Sequence, residues 1–321
     1  MINRIISIGD EIMPRVIFGE TLVELGQEIP ELVVLDADVG ASTQTALFRD
    51  AFPSRFYQMG IAEANMVGVA AGLSTQGWIP FVSTFAIFLT KRAGDQIRNS
   101  IAYPKANVKL NGAYGGIPTG KAGATHSAIE DISVMRAIPG MPVIVPADPV
   151  ETRLATRAVM KISGPVYLRT VRCPVPTIFS ENDTFEFGKA RIVHEGKDGV
   201  VISTGMMTPK ALIAAENLKK RGVFIKVIHM GTVKPLDREA VLVASREFGQ
   251  IITVENHSII GGLGDAVCAL TAAEAPCKVT KLGVKDLFPE SGENEALFSR
   301  YGMNTENIEA ALEREVRERV R

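Results

Sequence analysis

Short apolar runs alternate with helix-patterned segments along almost the whole chain, and this alternation restricts the fold more than any single residue does. In the first half the runs are LVVLD (Leu32–Asp36), IPFVS (Ile79–Ser83), NVKLNG from Asn107, PVIVPA and PVYLR. Unbroken apolar runs of this length are typical of strands buried on both faces. Between them, helical spacing marks Arg15 to Gly26, the stretch from Gly60, Ala86 to Ile101, AIEDISVMRAI and DPVETRLATRAVMK. Such alternation builds a doubly wound parallel sheet. The pattern breaks at Cys173–Phe187, CPVPTIFSENDTFEF, which holds two prolines and little periodicity. A second set then runs GVVISTG, a helix from Pro209 to Arg221, FIKVIHM, a helix from Leu236 to Phe248, QIITVEN, a helix after GGLGD, CKVTKLGV and a terminal helix from Thr305. The expectation is α/β with two doubly wound domains. A larger parallel-sheet domain covers 1–187 and a smaller α/β domain covers 188–321.

Composition removes several function classes. A chain of 321 residues can bury two cores. Lys+Arg 35 against Asp+Glu 36 leaves a net charge of −1, which offers nucleic acid no footprint. Cys173, Cys268 and Cys277 form no CxxC pair, and their odd number fits a reducing compartment. MINRIISIGDEIMPR is too short and too broken by charge for a signal peptide, and no apolar run reaches the roughly eighteen residues of a membrane span. The sequence therefore reads as soluble and cytoplasmic. No HxxxH or His/Cys cluster offers a metal site, so the expected metal ligands number none.

Two stretches are chemically unusual. In GIAEANMVGVAAGLSTQG (Gly60–Gly77), Ala64, Gly68, Ala71 and Gly72 share one helix face that is nearly free of side chains. Another backbone can approach such a face closely. Glu63 is a single acid in the first turn of this apolar helix. It gains from the positive end of the helix dipole, and burial is costly unless a protonated partner meets it. Taken alone it fits either a solvated or capping first-turn acid or a functional carboxylate. The second stretch is the loop GAYGGIPTGKAGATH (Gly112–His126), with five glycines in fifteen residues. His126 ends it just before Glu130 and Asp131, where an imidazole is either structural or proton-handling. His194, His229 and His257 read as structural. Phe85 and Phe88 read first as core. GGLGD (Gly261–Asp265) is a weak phosphate-cradle candidate that lacks a full G-x-G-x-x-G or a P-loop lysine.

Taken together and in order, these pieces resemble the transketolase family of thiamine diphosphate enzymes. GIAEANM resembles its pyrimidine-domain signature, STFAIF its aromatic cofactor wall, GATHSAIED its histidine loop and ENHSIIGGLGDAV the start of its C-terminal-domain helix. The similarity spans nearly the whole chain but only the C-terminal half of a full-length transketolase. The GDG…N motif of the diphosphate-binding domain does not occur. The resemblance therefore implies the second polypeptide of a split transketolase, moving a two-carbon ketol unit between a ketose (phosphate) and an aldose (phosphate). It implies activity only with an N-terminal subunit that holds the diphosphate and its Mg2+ (or Ca2+), in an α2β2 assembly.

Site roles follow from the resemblance position by position. Glu63 would pair with N1′ of the aminopyrimidine, favouring the tautomer that takes the C2 proton. Phe85 and Phe88 would stack on and flank that ring, with Ile61 beside it, and Asp38 would lie near the cofactor at the subunit junction. Arg15 and Arg169 would hold a substrate phosphate, with Ser42 adding a hydroxyl. His126 would contact the donor's oxygens. Three positions depart from the family pattern: Ala122 replaces an acid four residues before the loop histidine, Tyr114 replaces a histidine, and Lys91 replaces an aromatic. A lost hydroxyl partner weakens discrimination, so donor and acceptor stay open. The alternatives are the β subunit of a 2-oxo acid dehydrogenase E1 component, a deoxyxylulose-phosphate-synthase-like half and a non-catalytic regulatory paralogue.

Overall fold

The computed structural model describes residues 4–320. Its larger sheet has seven strands in the order Thr232–Lys234, Val143–Ile144, Val166–Arg169, Lys109–Ala113, Ile79–Phe85, Leu32–Asp36 and Phe56–Gln58. A second sheet has five, in the order Lys278–Val284, Gln250–Ser258, Gly199–Ser203, Ile225–His229 and Arg191–His194. Pairing is parallel throughout both sheets except at one edge of each, where Thr232–Lys234 and Arg191–His194 run antiparallel to their neighbours. Every residue of Leu32–Asp36 and of Lys109–Ala113 is buried, as strands covered on both faces must be. Among the described residues no helix is long and apolar enough to cross a membrane.

The structure differs from the sequence reading in several places, among them the unmarked edge strands Phe56–Gln58 and Arg191–His194. The helix expected over Ala86–Ile101 breaks into Ala86–Arg92, a turn at Gly94–Gln96 and a π-helical segment at Ile97–Ala102. A helix at Asn294–Arg300 lies in a stretch the periodicity did not mark. Thr232–Lys234 belongs by sequence to the second half but hydrogen-bonds to Val143–Ile144 of the first sheet. The boundary at 187/188 is thus crossed by a strand. One hydrophobic cluster likewise joins Leu35, Val82 and Val143 to Ile202, Ile228 and Val241.

A buried polar cluster fastens the halves together. Arg169 ends a strand of the first sheet, and its Nε and Nη2 donate to the Asp131 carboxylate at 2.7 and 3.0 Å. Nη2 also donates to the carbonyls of Ala128 (2.9 Å) and Asn256 (3.0 Å), the latter in the second sheet. Asn256 Oδ1 in turn accepts the Ile117 N–H at 3.0 Å. His257 Nε2 accepts the Ser133 N–H at 3.3 Å. Glu255 accepts the Leu263 and Gly264 N–H groups at 2.7 and 2.8 Å. The chain's own carboxylate therefore fills the cradle at GGLGD, and a Cβ on Gly262 would collide with it.

Burial pushes the Glu255 carboxyl up to about 7 and the His257 imidazole down to about 4. The two act oppositely on stability. The folded chain holds the Glu255 proton to higher pH than the unfolded chain, so that contribution is present below about pH 4.5 and is lost as pH rises towards 7. For His257 the unfolded chain binds more protons between about pH 4 and 6.5, so stability falls as pH drops through that window. The two slopes offset one another in the wild type. Glu255→Gln should leave stability rising with pH between about 4.5 and 6.5, and His257→Gln should leave it falling. Urea midpoints across that range check both, and parallel profiles for the two variants would refute the assignment.

Candidate functional site

The helix Glu63–Ser74 places Glu63 at its first position, 2% exposed at the side chain. Its carboxylate accepts from Arg92 Nη1 at 3.0 and 3.2 Å. The Arg92 guanidinium lies over the Phe88 ring, 4.0 Å from its centroid. Phe88 and Phe85 stand 5.8 Å apart on the turn from strand Ile79–Phe85 into helix Ala86–Arg92. His126 meets Phe88 edge-on at 5.2 Å, and its Nδ1 is 2.9 Å from the Thr125 hydroxyl. Glu63, Arg92, Phe88, Phe85 and His126 thus form one contiguous cluster of an acid, a cation and aromatic faces.

Tyr114 extends this cluster. Its ring stacks on Phe85 at 4.2 Å, and it is 6% exposed. Its φ of 60° is a strained value for a tyrosine, held by the packing around it. Its hydroxyl accepts from Arg15 Nη1 at 2.9 Å, and Arg15 also donates to the Ser42 carbonyl at 2.8 Å. Arg172 lies 5.3 Å from the same ring. Arg15, Arg172 and Lys121 line a neighbouring cleft of about 340 Å³, together with Thr119, Glu293 and Asn294. The Arg15 Nε is buried with no hydrogen-bond partner among the described residues. An acid beside aromatic faces suits a flat heteroaromatic ring, and the neighbouring group of cations suits an anion.

Not every residue singled out from the sequence reaches these two regions. Arg169 does not. Its side chain is 2% exposed and committed to Asp131, whereas Arg172, which sequence reasoning passed over, lines the cation-bearing cleft beside Arg15. Ser42 contributes its carbonyl, and among the described residues no hydrogen bond of its hydroxyl is seen. Ile61 is 73% exposed, two residues before Glu63. Asp38 is exposed, with φ 62° and its N–H bonded to Gln58 Oε1 at 2.8 Å. Ala122 lies exposed on the turn Gly120–Ala122, and Lys91 pairs with Glu130 at 3.1 Å. Arg92 was also missed; a lone arginine two residues before a glycine gave no signal.

The donor set fits the aminopyrimidine half of thiamine diphosphate: a buried carboxylate already facing an N–H donor, beside aromatic faces. Among the described residues no group of three His, Cys, Asp or Glu side chains is placed to hold a metal. On the helix bearing Glu63, a Cβ on Gly68 or Gly72 would meet nothing within 4 Å, so this chain leaves that face open.

Comparison with known proteins matches residues 10–176 to the family model described as transketolase, pyrimidine binding domain, and 188–308 to that described as transketolase, C-terminal domain. A putative transketolase C-terminal section from Methanocaldococcus jannaschii is 45% identical over 94% of this chain and 95% of that protein. The 6-deoxy-6-sulfo-D-fructose transketolase subunit SqwH of a Clostridium species is 41% identical over 94% of each. A solved structure titled split gene transketolase, inactive beta4 tetramer, is 47% identical with a TM-score of 0.87, covering 96% of this chain and 99% of that one.

The two arginines should separate on mutation. Arg169→Met leaves the Asp131 charge buried without its cation and should cost about 3–5 kcal/mol of stability. Arg172→Met, at an exposed position, should stay within about 0.5 kcal/mol of wild type. Equal losses in urea unfolding would show that the two roles are misassigned.

Proposed function

Because the chain belongs to the transketolase family, carrying its pyrimidine-binding and C-terminal domains, we propose that it is one subunit of a thiamine diphosphate-dependent enzyme moving a two-carbon ketol unit from a ketose to an aldose. The observation that carries this reading is the buried Glu63 carboxylate facing an N–H donor beside Phe88, with Phe85 and His126 in the same cluster. A partner subunit with the diphosphate-binding domain and its Mg2+ or Ca2+ completes the cofactor site, in an α2β2 assembly. The relatives' names support ketol transfer over 2-oxo acid oxidation and over a regulatory paralogue, and the beta4 title supports self-association of chains of this kind.

When bound, thiamine diphosphate supplies a nucleophilic carbon that breaks and forms carbon–carbon bonds beside a carbonyl. The residues of this chain do the rest. Glu63 holds a proton at the pyrimidine N1′, a charge-assisted contact strengthened by burial. Phe85 and Phe88 fix the ring, Ile61 flanks it, and Asp38 lies by the cofactor at the subunit junction. His126 reaches the substrate's oxygens. Arg15 and Arg172 hold its anionic end, and Ser42 serves by orienting Arg15. Tyr114, stacked between wall and cations, takes the place from which the substrate's nearer hydroxyls are read.

The proposed substrate is a sugar with a terminal phosphate or a similar anion and altered stereochemistry or branching next to the carbonyl. Arg15 motivates the first half, and Ala122 with Tyr114 the second. One relative is named for a sulfonated sugar, which supports a non-phosphate anion as well.

The reconstituted complex should be assayed on phosphorylated, sulfonated and neutral aldoses of both α-configurations. Arg172→Ala should raise KM for the anionic sugars about ten- to hundredfold with little change in kcat, since a contact made equally in ground and transition states behaves so. Glu63→Gln should leave the complex assembled and slow C2 proton exchange by orders of magnitude. Neutral sugars serving as well as anionic ones would defeat the cation assignment. Near-normal exchange in Glu63→Gln would mean the wrong carboxylate has been chosen.

A further inference from the structure

Arg92 stands where two requirements of the cofactor site meet. Its flat, delocalised guanidinium lies 4.0 Å from the centroid of the Phe88 ring, and the same group donates to both Glu63 oxygens. A planar group stacked on a phenyl face with an N–H turned to a buried carboxylate is also a description of an aminopyrimidine in such a site. The Phe88 face under the guanidinium and the space between it and Glu63 cannot hold a second planar group while Arg92 fills them. Resting on the reading of Glu63 and Phe88 given above, we propose that the Arg92 guanidinium holds the aminopyrimidine's place in the lone chain and must leave it for the cofactor to load.

The surroundings allow Arg92 to leave. Glu63 is 2% exposed but the Arg92 side chain is 47% exposed, so the cation can turn into water while the carboxylate stays fixed. Arg92 is the last residue of helix Ala86–Arg92, and the chain then passes through Ala93 into a short turn and the π-helical segment Ile97–Ala102. Neighbouring Lys91 is held separately by Glu130 at 3.1 Å, so it does not follow. Beyond Glu63 and Phe88, no other side-chain partner of Arg92 is seen among the described residues. The pair also explains how a carboxylate this buried is tolerated before any ligand arrives. Its consequence is competition: the apparent affinity of the lone chain falls by the fraction of molecules in which Arg92 has swung out.

The test uses the isolated chain and thiamine itself, which carries the aminopyrimidine but no diphosphate. Calorimetric titration of wild type, Arg92→Ala and Arg92→Lys should give about tenfold tighter binding for Arg92→Ala. Arg92→Lys should fall between, because it keeps a cation for Glu63 but cannot lie flat on the ring. It also guards against a variant that merely misfolds. Adding Glu63→Gln to Arg92→Ala should remove the gain. Thiamine binding in both Arg92 variants that is equal to wild type, weaker or undetectable overturns the proposal. The functional reading is judged separately, by thiamine diphosphate binding and C2 exchange in the two-subunit complex. Normal values there with Glu63→Gln overturn the reading, whereas a failed Arg92 result beside a dead Glu63→Gln complex overturns the displacement alone.

Discussion

The ion pair between Asp131 and Arg169 is the contact on which the rest of the site depends. Both side chains are essentially without solvent, so neither charge is tolerable without the other. Burial alone would raise the Asp131 carboxyl, but the guanidinium beside it holds it below its ordinary value. Because Arg169 also takes the carbonyls of Ala128 and Asn256, the pair ties three things together: a strand end, the close of the glycine-rich loop, and the second sheet. Gly115 lies against the Arg169 side chain with no room for a Cβ. The loop carrying Tyr114 and His126 is thereby fixed at its base, although Arg169 itself never faces the cleft.

From that base two chemically unlike regions lie side by side. One is a group of aromatic faces around a single buried acid; the other is a cleft lined by three cations. Tyr114 couples them, its ring belonging to the wall and its hydroxyl to Arg15. Tyr114 holds a left-handed φ of 60° where its ring and hydroxyl are both engaged. Anything that alters how Tyr114 sits therefore acts on both Phe85 and Arg15.

What was legible in the sequence followed from local physics. An acid in an apolar helix, a pair of phenylalanines after a strand and a glycine-dense loop ending in histidine each violate a simple expectation of burial or connection length, and each lies in the cluster around Glu63. The alternation of apolar runs likewise gave the parallel sheets. The two arginines after PVYL could not be sorted that way. Which of Arg169 and Arg172 turns inward depends on where the strand stops and on an aspartate 38 residues earlier, and neither is a local property. Arg92 was hidden because the helix expected through Ile101 ends at this residue, which frees the side chain to turn back onto Glu63 and Phe88. Thr232–Lys234 was assigned to the second domain because chain order favoured it; its pairing partner lies about ninety residues upstream.

The charges of the two regions share a further property. Glu63 has Arg92, Lys91 has Glu130, Lys121 has Glu293 at 3.4 Å, and Arg15 has the Ser42 carbonyl. A chain that folds before it meets a ligand or a second subunit cannot leave a buried carboxylate unmatched, because an unpaired one would cost more than a typical domain can spare. Arg92 provides that partner for Glu63, the buried acid of the set. This means that completing the site exchanges one hydrogen-bonded partner for another, and such an exchange has a small net free energy even when each contact is strong. The site therefore stays open to a ligand that satisfies the same groups at least as well.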